Sequence, residues 1–129
     1  MDVKLKRAYE PPDKSDGLRL LVERLWPRGL TKEKAAIDEW FKEVAPSPEL
    51  RTWYGHDPAK WREFRRRYRG ELRANAEEVN RLRARIGKGP ATFVYAAKDE
   101  QRNSAVILRD YLASADSPGA RARRRTAPR

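Results

Sequence analysis

The sequence predicts an α/β fold: a small, mainly parallel sheet of about three strands flanked by helices, one of them long and amphipathic. Three observations carry that prediction. Leu20-Leu21-Val22 and Ala91-Thr92-Phe93-Val94-Tyr95-Ala96-Ala97 are short apolar runs of the kind found in strands buried on both faces. Trp61, Phe64, Tyr68, Leu72, Ala76, Val79, Leu82 and Ile86 keep a three-to-four spacing that a helix turns onto one side. Helical stretches separate the strands, and strands joined in that way tend to lie parallel.

Each element follows from local chemistry. Residues 3–9 alternate charged and apolar side chains as a half-buried strand does, and Pro11-Pro12 with Asp13, Ser15, Asp16 and Gly17 ends it in a polar turn. Residues 18–25 form the second expected strand, stopped by Trp26-Pro27-Arg28-Gly29. Thr31 is placed to cap a helix in which Ile37, Trp40, Phe41 and Val44 fall at i, i+3, i+4 and i+7, with Pro46 just beyond. Ser47-Pro48 opens a short helix to about Trp53, which Gly55 breaks. Asp57-Pro58 repeats that signature and starts the long helix, with a bend expected near Gly70. Gly87-Lys88-Gly89-Pro90 ends it. The third strand covers 91–97, its β-branched and aromatic centre supporting the assignment. Polar residues 98–103 then lead into a last helix from Ser104 to about Ala113, capped by Asp99 or Asn103.

Residues 1–116 are expected to form a single α/β domain, large enough to bury a core without disulfides. Residues 117–129 hold Pro, Gly, Ala and Arg without apolar periodicity, so a disordered Arg-rich tail is expected there. The chain has no cysteine, which removes disulfides, thiol nucleophiles and Cys-ligated metals. One histidine and no carboxylate pair at ligand spacing leave no metal site to predict. Phosphate-cradling glycine loops and serine nucleophile elbows are missing, and no cofactor is predicted. The N-terminus has no continuous apolar stretch, so neither a signal peptide nor a membrane span is expected, and the cytoplasm is the expected location.

The net charge of +11 is unevenly spread. Five arginines and no acid lie in 117–129, leaving +6 on residues 1–116, and +5 of that sits between Lys60 and Arg73. Arginine outnumbers lysine 21 to 9. The basic helix face and tail could attract nucleic-acid phosphates weakly and without sequence preference. Trp61 and Tyr68 share the stripe that must bury against the sheet, so they read as core rather than base-stacking platforms.

If strands two and three are parallel neighbours, their following loops meet at one sheet edge, where open α/β sheets bind ligands. Arg24, Trp26, Arg28 and Gly29 then face Lys98, Asp99, Arg102 and Asn103. Arg24, Arg28 and Lys98 are the expected anion contacts, and helices starting at Lys32 and Ser104 aim free N–H groups the same way. The expected partner is a small phosphate- or carboxylate-bearing molecule, with a catalytic role left open. His56 and Asp99 are the candidate proton carriers. Competing structural readings are that Arg24 and Arg28 merely hold their loop through Glu23, Asp38 or a carbonyl, and that His56 is a loop hydrogen-bonder. Oligomeric state is not legible.

Leu21-Val22-Glu23-Arg24-Leu25-Trp26-Pro27-Arg28-Gly29-Leu30, Trp53-Tyr54-Gly55-His56-Asp57-Pro58, and Tyr95-Ala96-Ala97-Lys98-Asp99 through Asn103 and Ala105 to Leu108 resemble the YeaO-like family of domains of unknown function (DUF 488). The resemblance runs from about Lys6 to Leu112. It implies a small bacterial or archaeal cytosolic α/β protein whose activity is not established. Two departures stand out: the family pattern has Asp where this chain has Glu23, and often Phe where it has Tyr54.

Overall fold

The computed structural model describes residues 1–114; the tail expected at 117–129 lies outside them. Four strands, β1 (Val3–Arg7), β2 (Leu18–Leu21), β3 (Glu39–Trp40) and β4 (Ala91–Tyr95), form a sheet of order β1-β4-β2-β3. Every neighbouring pair is parallel. The helices are α1 (Lys32–Ala35), α2 (Pro48–Tyr54), α3 (Trp61–Ala74), α4 (Ala76–Ile86) and α5 (Ser104–Ala113). The α/β class and parallel sheet are as the sequence predicts, with one strand more.

The extra strand replaces most of a predicted helix. Thr31 does cap α1, its hydroxyl accepting from the Lys34 N–H, but the helix lasts one turn. Ala36 turns left-handed at φ 49°, and Asp38 then bonds Arg19 twice, through its own N–H and through its carboxylate, at 2.8 Å each. Those bonds draw the chain onto the sheet edge. Phe41 N–H donates to Leu21 O at 2.8 Å. The spacing of Ile37, Trp40, Phe41 and Val44 is therefore a coincidence of an edge strand followed by a 3-10 turn that buries Val44, because sheet pairing outcompetes a weak local helical preference.

The long amphipathic stretch is real but interrupted. Asn75, at φ −114°, separates α3 from α4, and its side-chain amide donates to Glu43 O at 2.9 Å. Gly70 lies inside α3 and breaks nothing. Phe64, Tyr68 and Leu72 on one side of the break, and Val79, Leu82 and Ile86 on the other, are buried as the spacing predicts.

Alternation along the strands sorts side chains onto two faces. Leu20, Val22, Phe93 and Tyr95 join the main core with α2 to α5, centred on Tyr68, Tyr111 and Leu108. Leu21, Val94 and Ala8 face the other way, under Trp26, Leu30, Ile37 and Trp40. Burying each large side chain of this kind is worth about 1.5–3 kcal/mol. Parallel pairing in register, Arg7 with Tyr95 and Leu21 with Val94, brings the ends of β1, β2 and β4 to one edge. Among the described residues, no helix is long and apolar enough to cross a membrane.

Candidate functional site

At that edge the loops after β2 and β4 and the turn after α2 enclose a cavity of about 430 Å³. Tyr9, Trp26, Pro27, Tyr54 and Phe64 supply apolar wall, and Arg28, Arg51, Arg102, His56 and Glu23 supply charge or polarity.

The loop after β2 is braced from behind. Trp26 Nε1–H donates to Leu30 O at 2.7 Å, and its ring meets Trp40 edge-on with centroids 5.7 Å apart. Trp40 Nε1–H in turn donates to Glu23 O at 2.6 Å. Fixed in this way, Glu23 points its carboxylate across to β4, where Oε1 accepts the Ala96 N–H at 3.1 Å. Its second oxygen has no hydrogen bond among the described residues. Burial pushes the Glu23 carboxyl above its ordinary 4.5, against the opposing pull of the Ala96 N–H and the charges of Arg51 and His56.

The opposite wall comes from α2 and its exit. Ser47 caps α2, with Pro48 in its first turn, and the left-handed Gly55 ends it. His56 is also left-handed, at φ 58°, a conformation uncommon outside glycine but tolerated better by His than by most residues. Tyr54, 7% exposed, stacks on Phe64 with centroids 4.2 Å apart. The Tyr54 hydroxyl lines the cavity without a hydrogen-bond partner among the described residues. Burial, and then the charge of Asp99, raise its pKa above 10.0.

The predicted residues divide. Trp26, Arg28, His56 and Asn103 line the cavity. Arg28 and Arg51 have no side-chain hydrogen bond or ion pair among the described residues. Arg24 is directed elsewhere: Nε donates to Pro46 O at 3.2 Å, one terminal N–H to Ala45 O at 3.3 Å and the other to Glu43 at 3.3 Å. It therefore holds the segment after β3 and is absent from the cavity wall. Lys98 and Asp99 are exposed and also outside the wall. Asp99 accepts the Gln101 and Arg102 N–H groups at 2.9 Å each, and these bonds hold its pKa below 3.8, which suits a turn carboxylate and not a proton carrier. Asn103 caps α5, accepting from Val106 N–H at 3.1 Å and donating to Asp99 O at 2.9 Å. Among the described residues no three His, Asp or Glu side chains gather as a metal-holding group.

Glu23, Arg51 and Tyr54 are wall residues that the sequence does not single out for binding, whereas Arg102, expected in the crevice, also lines the cavity. Arg51 sits on the exposed side of a short helix, where nothing distinguishes a ligand contact from a solvated charge.

A family model described as "Inactive DUF488-N3 subclade" matches residues 2–128. The chain belongs to that family. It is 43% identical over 114 residues to the uncharacterised protein YeaO of Escherichia coli, covering 88% of this chain and 99% of that protein. It is 41% identical over 110 residues to an uncharacterised protein of Mycobacterium bovis and to one of Mycobacterium tuberculosis, covering 85% of this chain and 92% of each relative. The YeaO-like resemblance carried by the three motifs is thus shown, and those motifs supply much of the cavity wall. No solved structure matches the chain.

Proposed function

We propose that this protein binds a small phosphate- or carboxylate-bearing molecule in the cavity and performs no chemistry on it. The observation that carries this reading is the cluster of Arg28, Arg51 and Arg102 on an aromatic wall, the first two without an acid holding them among the described residues. The Arg102 contact with Asp99 is a loose 3.7 Å. Unpaired guanidinium groups beside apolar surface suit an organic anion, whose charge they meet and whose body the rings cover.

Binding without turnover is favoured by two further points. The matching family is described as inactive. Among the described residues, no carboxylate or hydroxyl hydrogen-bonds His56 to orient it as a general base or to receive its proton.

A thermal-shift screen with orthophosphate, sugar phosphates and small dicarboxylates tests the reading. A bound anion at a hundred times its Kd stabilises by about 2.7 kcal/mol. Arg28→Ala combined with Arg51→Ala should remove that shift, and a screen in which no anion raises Tm would sink the proposal.

A second reading is that α3 contacts nucleic acid without catalysis. Arg62 and Arg65 flank a shallow hollow beside Trp61, with no ion pair among the described residues. Trp61 itself packs against Tyr54 and Phe64, so charge alone supports this reading. Affinity that falls by orders of magnitude between low and physiological salt, with the cavity arginines replaced, would favour it.

A further inference from the structure

Among the described residues that line the cavity, Glu23 is the one acid, set against Arg28, Arg51, Arg102 and His56. Its position is held from two sides: Oε1 accepts the Ala96 N–H at 3.1 Å, and the backbone carbonyl accepts the Trp40 indole N–H at 2.6 Å. The carboxylate cannot leave the wall without breaking the bond that joins the two loops. Resting on the small-anion reading, we propose that binding of an anion in the cavity is coupled to uptake of a proton by Glu23. The site then holds its ligand more tightly as the medium acidifies.

Two effects act in the same direction. An anion held by Arg51 lies near Glu23 because Arg51 itself does, its charge already acting on the Glu23 carboxyl. Two like charges in one partly desolvated cavity repel, and protonation of Glu23 removes the repulsion. The same anion also occupies the Arg51 charge that favours the ionised carboxylate in the empty site. Burial already disfavours the charged form, so the proton is taken up at modest cost.

The other charged or titratable groups around Glu23 cannot stand in for it. Arg28 and Arg102 on the wall, and Arg24 next in the chain, are guanidinium groups that keep their charge. Burial raises the Tyr54 hydroxyl of α2 above 10.0, and the Tyr68 hydroxyl of α3 well above it, so both stay neutral. Asp99, outside the wall, is held below 3.8 by the Arg102 and Gln101 N–H groups and stays ionised. Histidine is the other side-chain type on the wall that changes charge near neutrality, so His56 has to be separated from Glu23 by experiment.

Calorimetric titration of the full chain with sulfate and with benzenesulfonate, from pH 4.5 to neutrality, tests this. Both probes keep a constant charge over that range, and cationic or zwitterionic buffers leave no buffer anion to compete. Affinity should fall as pH rises, by at most about tenfold per pH unit, the limit for one linked proton. Titrations in buffers of different ionisation enthalpy should show a fraction of a proton taken up per anion bound. His56→Asn, which suits the left-handed backbone at that position, should keep both the fall and the uptake. Adding Glu23→Gln to it should abolish both. At neutrality Glu23→Gln alone should bind more tightly than the parent, a gain that a merely structural role would not produce. Binding by His56→Asn with neither pH dependence nor proton uptake overturns the coupling and leaves the small-anion reading standing, and it does so without the glutamine variant. A slope that survives Glu23→Gln in the His56→Asn background overturns it as well. If neither probe binds at any pH the coupling is overturned too, and phosphates and dicarboxylates alone decide the broader reading.

Discussion

Glu23 Oε1 accepts the Ala96 N–H at 3.1 Å, so one side chain joins the loop after β2 to the loop after β4 at the edge where both leave the sheet. The same carboxylate forms part of the cavity wall. Holding the two loops together and presenting an acceptor to the cavity are therefore inseparable, and the burial that comes with it makes ionisation costly.

That cost gives Glu23 a pH signature of definite sign. Its carboxyl is raised above 4.5 in the folded chain, so the unfolded chain loses the proton first as pH rises. Below the ordinary value of 4.5 both states are protonated and Glu23 brings no ionisation penalty; the penalty grows through the interval up to the folded value and is complete above it. Glu23→Gln cannot ionise. Its Tm relative to the parent should accordingly rise as pH climbs from the ordinary value of 4.5 through the raised folded value, whatever constant offset the altered hydrogen bond adds. Calorimetric melts at a series of pH values check this, and a flat or falling difference would remove Glu23 as a buried acid.

Arg24 and Arg51 should separate folding from binding. Arg24 bonds the Pro46 and Ala45 carbonyls, so Arg24→Ala leaves acceptors without their donor and should cost about 1–3 kcal/mol in urea unfolding. Ligand-induced stabilisation should persist in that variant. Arg51→Ala, an exposed change with no bond to lose, should stay within about 0.5 kcal/mol of the parent and weaken the anion-induced shift. The opposite pairing of effects would mean that the cavity wall has been assigned to the wrong arginine.

Much of this arrangement is legible in the sequence, and what is not has a physical reason. The apolar runs at Leu20 and Phe93, the Ser47-Pro48 cap and the stripe from Trp61 to Ile86 are local signals, and each lands in its element. Parallel pairing of β2 with β4 is enough to place Trp26, Arg28 and Asn103 on one wall. The edge strand at Glu39 is hidden because its pairing depends on Leu20 and Leu21, nearly twenty residues away, and no local window contains it. The break at Asn75 coincides with a bond to the Glu43 carbonyl, 32 residues away and more remote still. Arg24 and Arg28 belong to one motif and look equivalent, yet only the fold shows that Ala45 and Pro46 claim the first.

At the opposite edge of the sheet, Asp16 and Arg19 form a buried pair at 2.7 Å, 2% and 4% exposed. Lys6 adds a second cation at 3.2 Å, and the Arg19 guanidinium also donates to Ala35 O at 2.9 and 3.1 Å. Asp16→Asn leaves the buried guanidinium without its counter-charge and should cost about 3–5 kcal/mol. Burial pushes the Asp16 carboxyl up, but the Asp13 N–H, Lys6 and Arg19 outweigh it and hold the pKa below 3.8. The stabilisation from ionised Asp16 is therefore fully present above 3.8 and lost as pH falls through the lower folded value. Asp16→Asn combined with Arg19→Met should recover part of the loss at neutral pH, and strict additivity of the two single changes would show that the charges are not coupled.

Gly17 and Gly29 both have positive φ, +63° and +80°, and the same substitution should have unequal effects at the two positions. A Cβ at Gly17 would lie 2.1 Å from Pro90 O and 2.6 Å from Pro90 C, and both are backbone atoms. Pro90 O also accepts the Leu18 N–H at 3.1 Å where β2 begins to pair with β4, so the clash cannot be relieved without opening the sheet at its start. Gly17→Ala should cost about 3 kcal/mol or more. A Cβ at Gly29 would meet nothing within 4 Å, leaving only the left-handed backbone penalty of about 1–2 kcal/mol. Because Gly29 follows Arg28 in the cavity loop, Gly29→Ala should instead shift that loop's conformational preference and weaken anion binding. Denaturant unfolding of both variants, with anion titration of the second, measures the contrast. Equal costs would mean that β2 and the segment before β4 do not approach as closely as their backbone bond requires.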